Sequence, residues 1–573
     1  MSAVSAATAV SIPGATGCSR VDPTTTEIVR QSLNSAANQM KRTLMRTAFS
    51  PIIFDALDFA VALYDREIRM LAQSPTIPAF MGTLSFCVEA AVEGVGGTEC
   101  LESGDILIYN VPYGSGSHAQ DLAIIAPVFI EDVGLVGYAV SKAHQFDIGA
   151  KNTYCTDTTD VFQEGVLFPG VKLFRAGKRV DDIYRLALAN SRAPKAMIGD
   201  LHAQEVCVKV GAEALVRIIR RFGVELFHEA VEQMYTQSER AMRSFFERIP
   251  DGRYVGHSFL DDDGVSGQRI ELEIAVEVIG SSVTVDYRNV PDVCRGPVNC
   301  PFPSTVSASR VAIMMLAGGG SEPNEGHFRA LKILTQPNSM FDPVSPAPCY
   351  LYGWGLTQAI EAIFIAFAEK VPGIMSAESA ADIASVGVVA RNPQSGELLD
   401  FGPALPVGHG GRPDGDGSVL FVAGLSNSRA PCIELTEAKL PVRYQRWEFE
   451  PDSFGIGRYR GAPAWNHDWE LLQDGALIST IDRTKDPSRG VQGGAGGMPN
   501  RFVLRDGDGH AREMGRATDA PLAKGAVVEI RCGGGGGYGE ARDRDPQSVL
   551  ADLADGLMTE PFARKHFPHA FNR

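Results

Sequence analysis

What this sequence lacks excludes several large classes of protein. No CxxC pair occurs among its 10 cysteines, and the closest two are Cys294 and Cys300. Zinc ribbons need paired spacings, and secreted disulfide scaffolds are short and cysteine-dense; the expectation is reduced thiols in a cytoplasmic protein. Clustered positive charge is missing as well. Lys+Arg number 53 against 69 Asp+Glu, a formal net charge of −16 with no run of five like charges, which leaves no surface suited to nucleic-acid phosphates. The longest apolar helix candidates, such as Leu356 to Ala368, carry Glu361 inside and are too short for a membrane span. A secretory leader needs a positive start and a continuous apolar block, and no basic residue precedes Arg20. There is no G-x-x-x-x-G-K-[ST] phosphate loop and no G-x-S-x-G nucleophile elbow, so neither P-loop nucleotide binding nor a serine-hydrolase triad has an anchor.

What is present is an ordinary globular composition, 44% apolar and 21% charged over 573 residues. That is enough for about three or four domains or an intertwined pair. Residues 1–22 read as a disordered tail. Order begins near Pro23, where Thr24 and Glu27 have capping-box spacing and Val29, Leu33, Ala36, Met40 and Leu44 repeat at helical intervals. Strands are expected at Phe59–Tyr64, near Gln73, at Ile106–Asn110, Leu122–Phe129 and Leu135–Ser141, and helices at Ala212–Phe222 and Val224–Glu247. Pro250-Asp251-Gly252 is a strong break. It divides a domain over 23–250 from a mixed middle domain over 251–440 with helices at Ser304–Leu316 and Thr357–Ala368. From 441 to 573 the chain reads as strands between glycine turns, closed by a helix from Pro546. The fold class is mixed α+β with extensive antiparallel sheet.

The residues with most chemical potential lie in polar loops between the early strands. His118 and Asp121 are three apart at the start of one apolar strand, and His144 and Asp147 repeat that spacing after the next. Antiparallel neighbours would bring both pairs to one end of a sheet. Two imidazoles and a carboxylate make a three-ligand set for Zn, Mn or Fe with positions left open. Asp147 is then a fourth ligand, an orienter of a ligand or a general base. The alternative is a set of ordinary hydrogen-bonded loop histidines, and spacing alone leaves both readings open. Glu164, after an apolar pair, is a candidate to present a carboxylate to the same site, whereas Cys155 reads as a buried thiol. Gly534, Gly536 and Gly539 stand in GxGxxG register, but only 34 residues follow, too few for another βα unit; the expectation there is a tight backbone crossing. His409-Gly-Gly-Arg412 and Asn324-Glu-Gly-His327 read as structural loops with some chance of facing a site.

At these residues the sequence resembles the hydantoinase B family, which takes in the B subunit of N-methylhydantoinase, the C-terminal half of oxoprolinase and a subunit of acetone and acetophenone carboxylases. The resemblance runs from about Pro23 to Asn572. It rests on Gly104-Asp105, Asn110, Pro112-Tyr113, His118-x-x-Asp121, Ala143-His144-x-x-Asp147-Ile-Gly149, Gln163-Glu164-Gly165, Ala189-Asn190-x-Arg192 and Gly199-Asp200-x-x-Ala-Gln204. Later come Asn324-x-Gly326, Gly410-Gly-Arg412, Leu440-Pro-Val-Arg443, Gly455-x-Gly-Arg458-x-Arg-Gly461, Asp545-Pro546 and Asp555-Gly556.

The resemblance implies His118, Asp121 and His144 as ligands of one divalent transition metal. It also implies a separate A-type subunit with an ATPase fold, which consumes ATP to phosphorylate a lactam or enol oxygen. The metal subunit then opens a cyclic amide by hydrolysis or, for a ketone, supports carboxylation; a non-catalytic scaffold is the third alternative. Three positions depart from the family pattern. Val111 stands where an Asp is common, Gln145 where a second His follows His144, and Phe80 where a His is usual. Together they are expected to make the pocket more apolar.

Overall fold

The computed structural model describes residues 21–319, 322–430 and 432–571. Most of the expected tail over 1–22, and Asn572, lie outside these. Helix α1 (Pro23–Thr47) is capped by Asp22, whose carboxylate accepts from the N–H groups of Thr24 and Thr25. The cap thus sits two residues before Thr24, because Pro23 has no N–H to satisfy and its fixed φ suits the first helical position. Val29, Leu33, Ala36, Met40 and Leu44 form the buried stripe that their spacing predicts.

Seven strands follow: β1 (Phe59–Asp65), β2 (Met70–Gln73), β3 (Ile106–Tyr109), β4 (Asp121–Ile130), β5 (Gly134–His144), β6 (Pro169–Arg175) and β7 (Lys178–Arg179). They pair in the order β2-β1-β5-β4-β3-β6-β7, antiparallel throughout. These strands read as apolar runs rather than alternating ones because the sheet is buried on both faces. Val61, Leu63, Leu122 and Ile124 belong to the core shared with α1 and α2 (Pro194–Phe222). Ala60, Ala62, Ala123 and Ile125 belong to the core shared with the second half of the chain.

Helix α2 begins 18 residues before the expected Ala212. Gly199 and Gly211 mimic breakers in the sequence, yet both are packing sites: a Cβ there would come within 2.3 Å of the Phe49 ring and 2.4 Å of Met40 Sδ. Helix α3 (Val224–Phe246) leads through the Pro250 turn into β8 (Gly252–Leu260). β9 (Ile270–Ile279), β10 (Ser282–Asp286) and β11 (Leu331–Leu334) complete a sheet ordered β11-β10-β9-β8, in which β10 and β11 run parallel. Helices α4 (Phe302–Leu316) and α5 (Tyr352–Lys370) are buried almost all round. Three further sheets follow among the described residues, and one pairs Val386–Arg391 with Gly475–Ser479 across residue 440. One apolar cluster extends from Ala60 to Cys532, so buried packing is continuous across both 250 and 440. The molecule is an α+β protein.

The Gly533–Gly537 run is a backbone crossing. The Gly535 N–H donates to Ala462 and its carbonyl accepts from Gly455, while Gly411 donates to Gly536 and Val491 to Gly537. A Cβ on Gly535 would lie 2.0 Å from the His409 carbonyl. No helix among the described residues is long and apolar enough to cross a membrane, and the nine described cysteines are free thiols.

Candidate metal centre

The β4–β5 ladder builds the site. Its register sets Asp121, the first residue of β4, opposite His144, the last of β5. His118 ends the Gly/Ser loop just before β4, where Gly116 turns through φ +77° against Pro303. Asn110 pins this loop, donating to the Ala119 and Val166 carbonyls and accepting from the Phe168 N–H. Three donor atoms converge as a result. His118 Nε2 is 2.9 Å from His144 Nδ1, and each lies 3.1 Å from Asp121 Oδ1. All three residues are buried.

The hydrogen bonds around these atoms suit a cation. His118 Nδ1 donates to the Tyr350 carbonyl at 2.9 Å, which leaves a lone pair on Nε2 directed at the other two donors. Burial would raise the Asp121 carboxyl, but the facing imidazoles override it and hold it well below the usual carboxylate range. Two ring nitrogens and a carboxylate oxygen so spaced can share one ion at the ~2.0–2.2 Å typical of His and Asp ligands. Tyr352, at the start of α5, reaches Asp121 Oδ2 with its hydroxyl at 3.4 Å.

Asp147 and Glu164 are not in this triad. Asp147 is held by Arg192, whose Nε and a terminal nitrogen approach it at 3.0 and 2.5 Å, so its carboxylate clamps the loop after β5. Glu164 Oε1 accepts from the Thr158 hydroxyl and from the N–H groups of Cys349 and Tyr350 at 2.8–2.9 Å. Burial raises its carboxyl to about 8. Since the Tyr350 carbonyl in turn orients His118, Glu164 is linked to the triad through one residue. Cys155 is buried, with its thiol pushed up to about 12 by burial. Asn324 and His327 close a capping box against α3, with Asn324 donating to Ser238. The Arg412 side chain is exposed and paired with Asp414.

Sequence reading missed Asp58. It immediately precedes β1, which pairs with β5, and its carbonyl accepts from the His144 N–H at 3.1 Å. Burial raises its carboxyl to about 6, against the charges of His144 and His118. Only strand pairing reveals it, because Asp58 is 60 residues before His118 with no motif linking them. Lys142, also missed, is buried between the Ser115 carbonyl at 2.7 Å and the face of Phe80 at 4.5 Å.

Asp58, His118 and His144 share a wall of a cavity of about 530 Å³, otherwise mostly apolar, with Phe49, Ile52, Phe54, Phe80, Phe146 and Leu356 among its lining. Asp200 of α2 holds the cavity-lining loop by accepting from the N–H groups of Phe49 and Ser50. Of the three departures, only Phe80 lines the cavity. Gln145 donates away from it to Gln204 of α2 at 3.0 Å, and Val111 packs into the core. This corrects the expectation that all three alter the pocket: Gln145, the first residue past β5, is held by Gln204 of α2 and does not line the cavity beside His144.

Comparison with known proteins agrees with this architecture. The chain belongs to the hydantoinase B/oxoprolinase family, whose model matches residues 22–541. It is 28% identical over 570 residues to the B-type subunit of a D-/L-hydantoinase from Pseudomonas sp. (strain NS671), covering 95% of this chain and 94% of that one. The crystal structure of an ATP-dependent caprolactamase from Pseudomonas jessenii superposes with a TM-score of 0.87 at 26% identity, covering 95% of this chain and 96% of that one. A nucleotide-free acetone carboxylase structure shares the fold, with a TM-score of 0.86 at 16% identity over 95% of this chain and 79% of that one.

Proposed function

We propose that this chain is the metal-bearing catalytic subunit of an ATP-dependent cyclic-amide hydrolase, acting on a substrate that a separate A-type subunit has phosphorylated. The observation that carries the reading is the convergence of His118, Asp121 and His144 on the wall of an apolar cavity. At about 530 Å³ it is of a size that suits a small organic ring. The family, the likeness to an ATP-dependent caprolactamase along nearly the whole chain and the subunit names of relatives support an ATP-dependent reaction and a partner subunit.

His118, Asp121 and His144 would hold one divalent ion. When bound, such an ion supplies Lewis-acid polarisation and activation of water. The aromatic and aliphatic wall holds the hydrocarbon part of the substrate and excludes bulk water. Tyr352 fixes the Asp121 carboxylate, and Glu164 fixes His118 through Tyr350. With Asp147 committed to Arg192, Asp58 is the further carboxylate on the wall, placed to receive a proton from the attacking water. Asp147 and Glu164 are positioning residues in this scheme.

The test is reconstitution. The chain alone, with its metal, is expected neither to cleave ATP nor to open hydantoins, oxoproline or lactams; adding the A-type subunit and ATP restores turnover. His144→Ala should abolish that turnover and lower metal content from near one per chain to below about a tenth, with an unchanged circular dichroism spectrum. Turnover by the isolated chain without ATP sinks the proposal. Bicarbonate-dependent ATP consumption with a ketone replaces hydrolase by carboxylase.

A further inference from the structure

Charge is unevenly distributed around the cavity. Asp58 and the two histidines stand together on one wall, and Asp55 is the only other carboxylate among the described lining residues. The cations lining it are Arg429 and Lys439, both exposed. They lie between the turn Ala423–Leu425 and the end of the short helix Ile433–Lys439. Leu435, Thr436, Lys439 and Leu440 all line the cavity, the spacing of one helix face. Arg429, Leu435 and Lys439, exposed yet lining the cavity, mark its mouth.

Neither cation has a carboxylate or hydrogen-bond partner among the described residues. By contrast, Arg412 and Arg443 on the flanking segments are tied to Asp414 and Glu470. A third cation, Lys41 of α1, is near enough that Arg429, after burial, helps hold its ammonium below the usual lysine range. Glu434 and Glu437 share the short helix with Lys439, but they accept from Cys432 and from the Tyr444 N–H instead and do not line the cavity. In a chain of net charge −16, the two unpaired cations make this part of the lining a local reversal of charge. Such reversals raise the local concentration of anions and their rate of entry.

We propose that Arg429 and Lys439 form an anion-receiving site at the cavity mouth, which captures the phosphoryl group of the activated substrate as it arrives from the partner subunit. The identity of the anion's carrier rests on the function proposed above; the anion site rests on the geometry. The planar guanidinium of Arg429 suits two phosphoryl oxygens at once, and the Lys439 ammonium adds a point charge. Beside them Leu435, Leu440 and Phe421 accept the organic part, so the site selects a phosphorylated apolar molecule over either free phosphate or the neutral substrate. The net negative charge of the rest of the surface would otherwise slow a dianion's approach.

Calorimetry on the full metal-loaded chain tests the site with phenyl phosphate, benzyl alcohol and inorganic phosphate. Phenyl phosphate is expected to bind about tenfold or more tighter than either of the others. Arg429→Ala with Lys439→Ala should remove about tenfold of that affinity at unchanged metal content, and Arg429→Lys with Lys439→Arg should retain most of it. Equal binding by wild type and the double alanine variant overturns the proposal. Inorganic phosphate binding as tightly as phenyl phosphate also overturns it, since the apolar wall would then contribute nothing. In the reconstituted complex, the double alanine variant should form several-fold less product per ATP cleaved; an unchanged ratio overturns the capture role. A wild-type complex without ATP-dependent turnover defeats the hydrolase reading instead, and the calorimetry still decides the anion site.

Discussion

Glu164 reaches the triad through a single residue: its Oε1 accepts the Tyr350 N–H, and the Tyr350 carbonyl accepts from His118. Removing the acceptor frees the segment that orients the ligand, and losing such outer-shell support typically costs about 10–100-fold in metal affinity. Glu164→Ala should show that loss in a competitive chelator titration, whereas Glu164→Gln, which keeps an acceptor oxygen, should stay near wild type. Equal affinity in both variants would detach Glu164 from the site. Phe80 raises a different matter, because it alone of the three departures touches the cavity. Phe80→His should therefore change the ranking of substrates in the reconstituted complex. Val111→Asp with Gln145→His should leave the ranking unchanged while lowering stability, since the first puts a carboxylate into apolar packing and the second disturbs the Gln145–Gln204 hydrogen bond. A shifted ranking from the latter pair would contradict the orientation of Gln145 toward Gln204.

Among the elements, the Gly533–Gly537 run has the least room for change. Backbone segments around His409, Gly455 and Gly490 approach it so closely that any Cβ would meet main-chain atoms, which cannot move aside as a side chain can. Gly535→Ala should cost about 3 kcal/mol or more, the upper part of the usual overpacking range. The thermal midpoint, or the yield of folded protein, measures this. Gly507→Ala is the control, because nothing lies within 4 Å of its Cβ position, and it should be nearly neutral. Equal midpoints for the two would show that the crossing is loosely packed.

Across the whole molecule, a buried polar network ties distant segments together. Arg483 donates to Glu378, Ser258 and Gln358, linking β8, α5 and the last third of the chain. Arg516 pairs with Asp482, whose N–H donates to Asp382. Glu361 of α5 lies beside this network, and burial, despite a hydrogen bond from the Ser379 hydroxyl, raises its carboxyl to about 7. A carboxyl whose folded pKa exceeds its unfolded value near 4.5 takes up a proton on folding. Its ionisation therefore destabilises the protein progressively as pH rises from about 5 through 7. His467 acts in the opposite sense, because burial lowers its imidazole to about 3 and stability is lost as pH falls below the unfolded value near 6.5. The difference between variant and wild type isolates the first effect: the midpoint of Glu361→Gln minus that of wild type should grow from about pH 5 to about 7 and level off above that. A difference independent of pH would mean that Glu361 is ionised throughout.

The sequence by itself determined the elements whose apolar residues either repeat at helical spacing or run unbroken between turn residues. The α1 stripe and α3 were legible from spacing that states which face is inside, and β1, β3 to β5 and most of α4 and α5 from continuous apolar runs buried on every side. It also determined the donor types of the candidate centre, since His118, Asp121 and His144 sit at the ends of two adjacent strands whose antiparallel pairing follows from a short connection. Tertiary structure alone decided the rest. Gly199 and Gly211 look like helix breakers until Phe49 and Met40 are seen against them. Asp58 joins the site through the pairing of β1 with β5, strands separated by most of the first sheet's sequence. Asp147 turns to Arg192, on a later loop, and pairs with it. Periodicity records burial within one element; which side chains meet across elements is set by packing among residues far apart in the chain, and no local pattern records that.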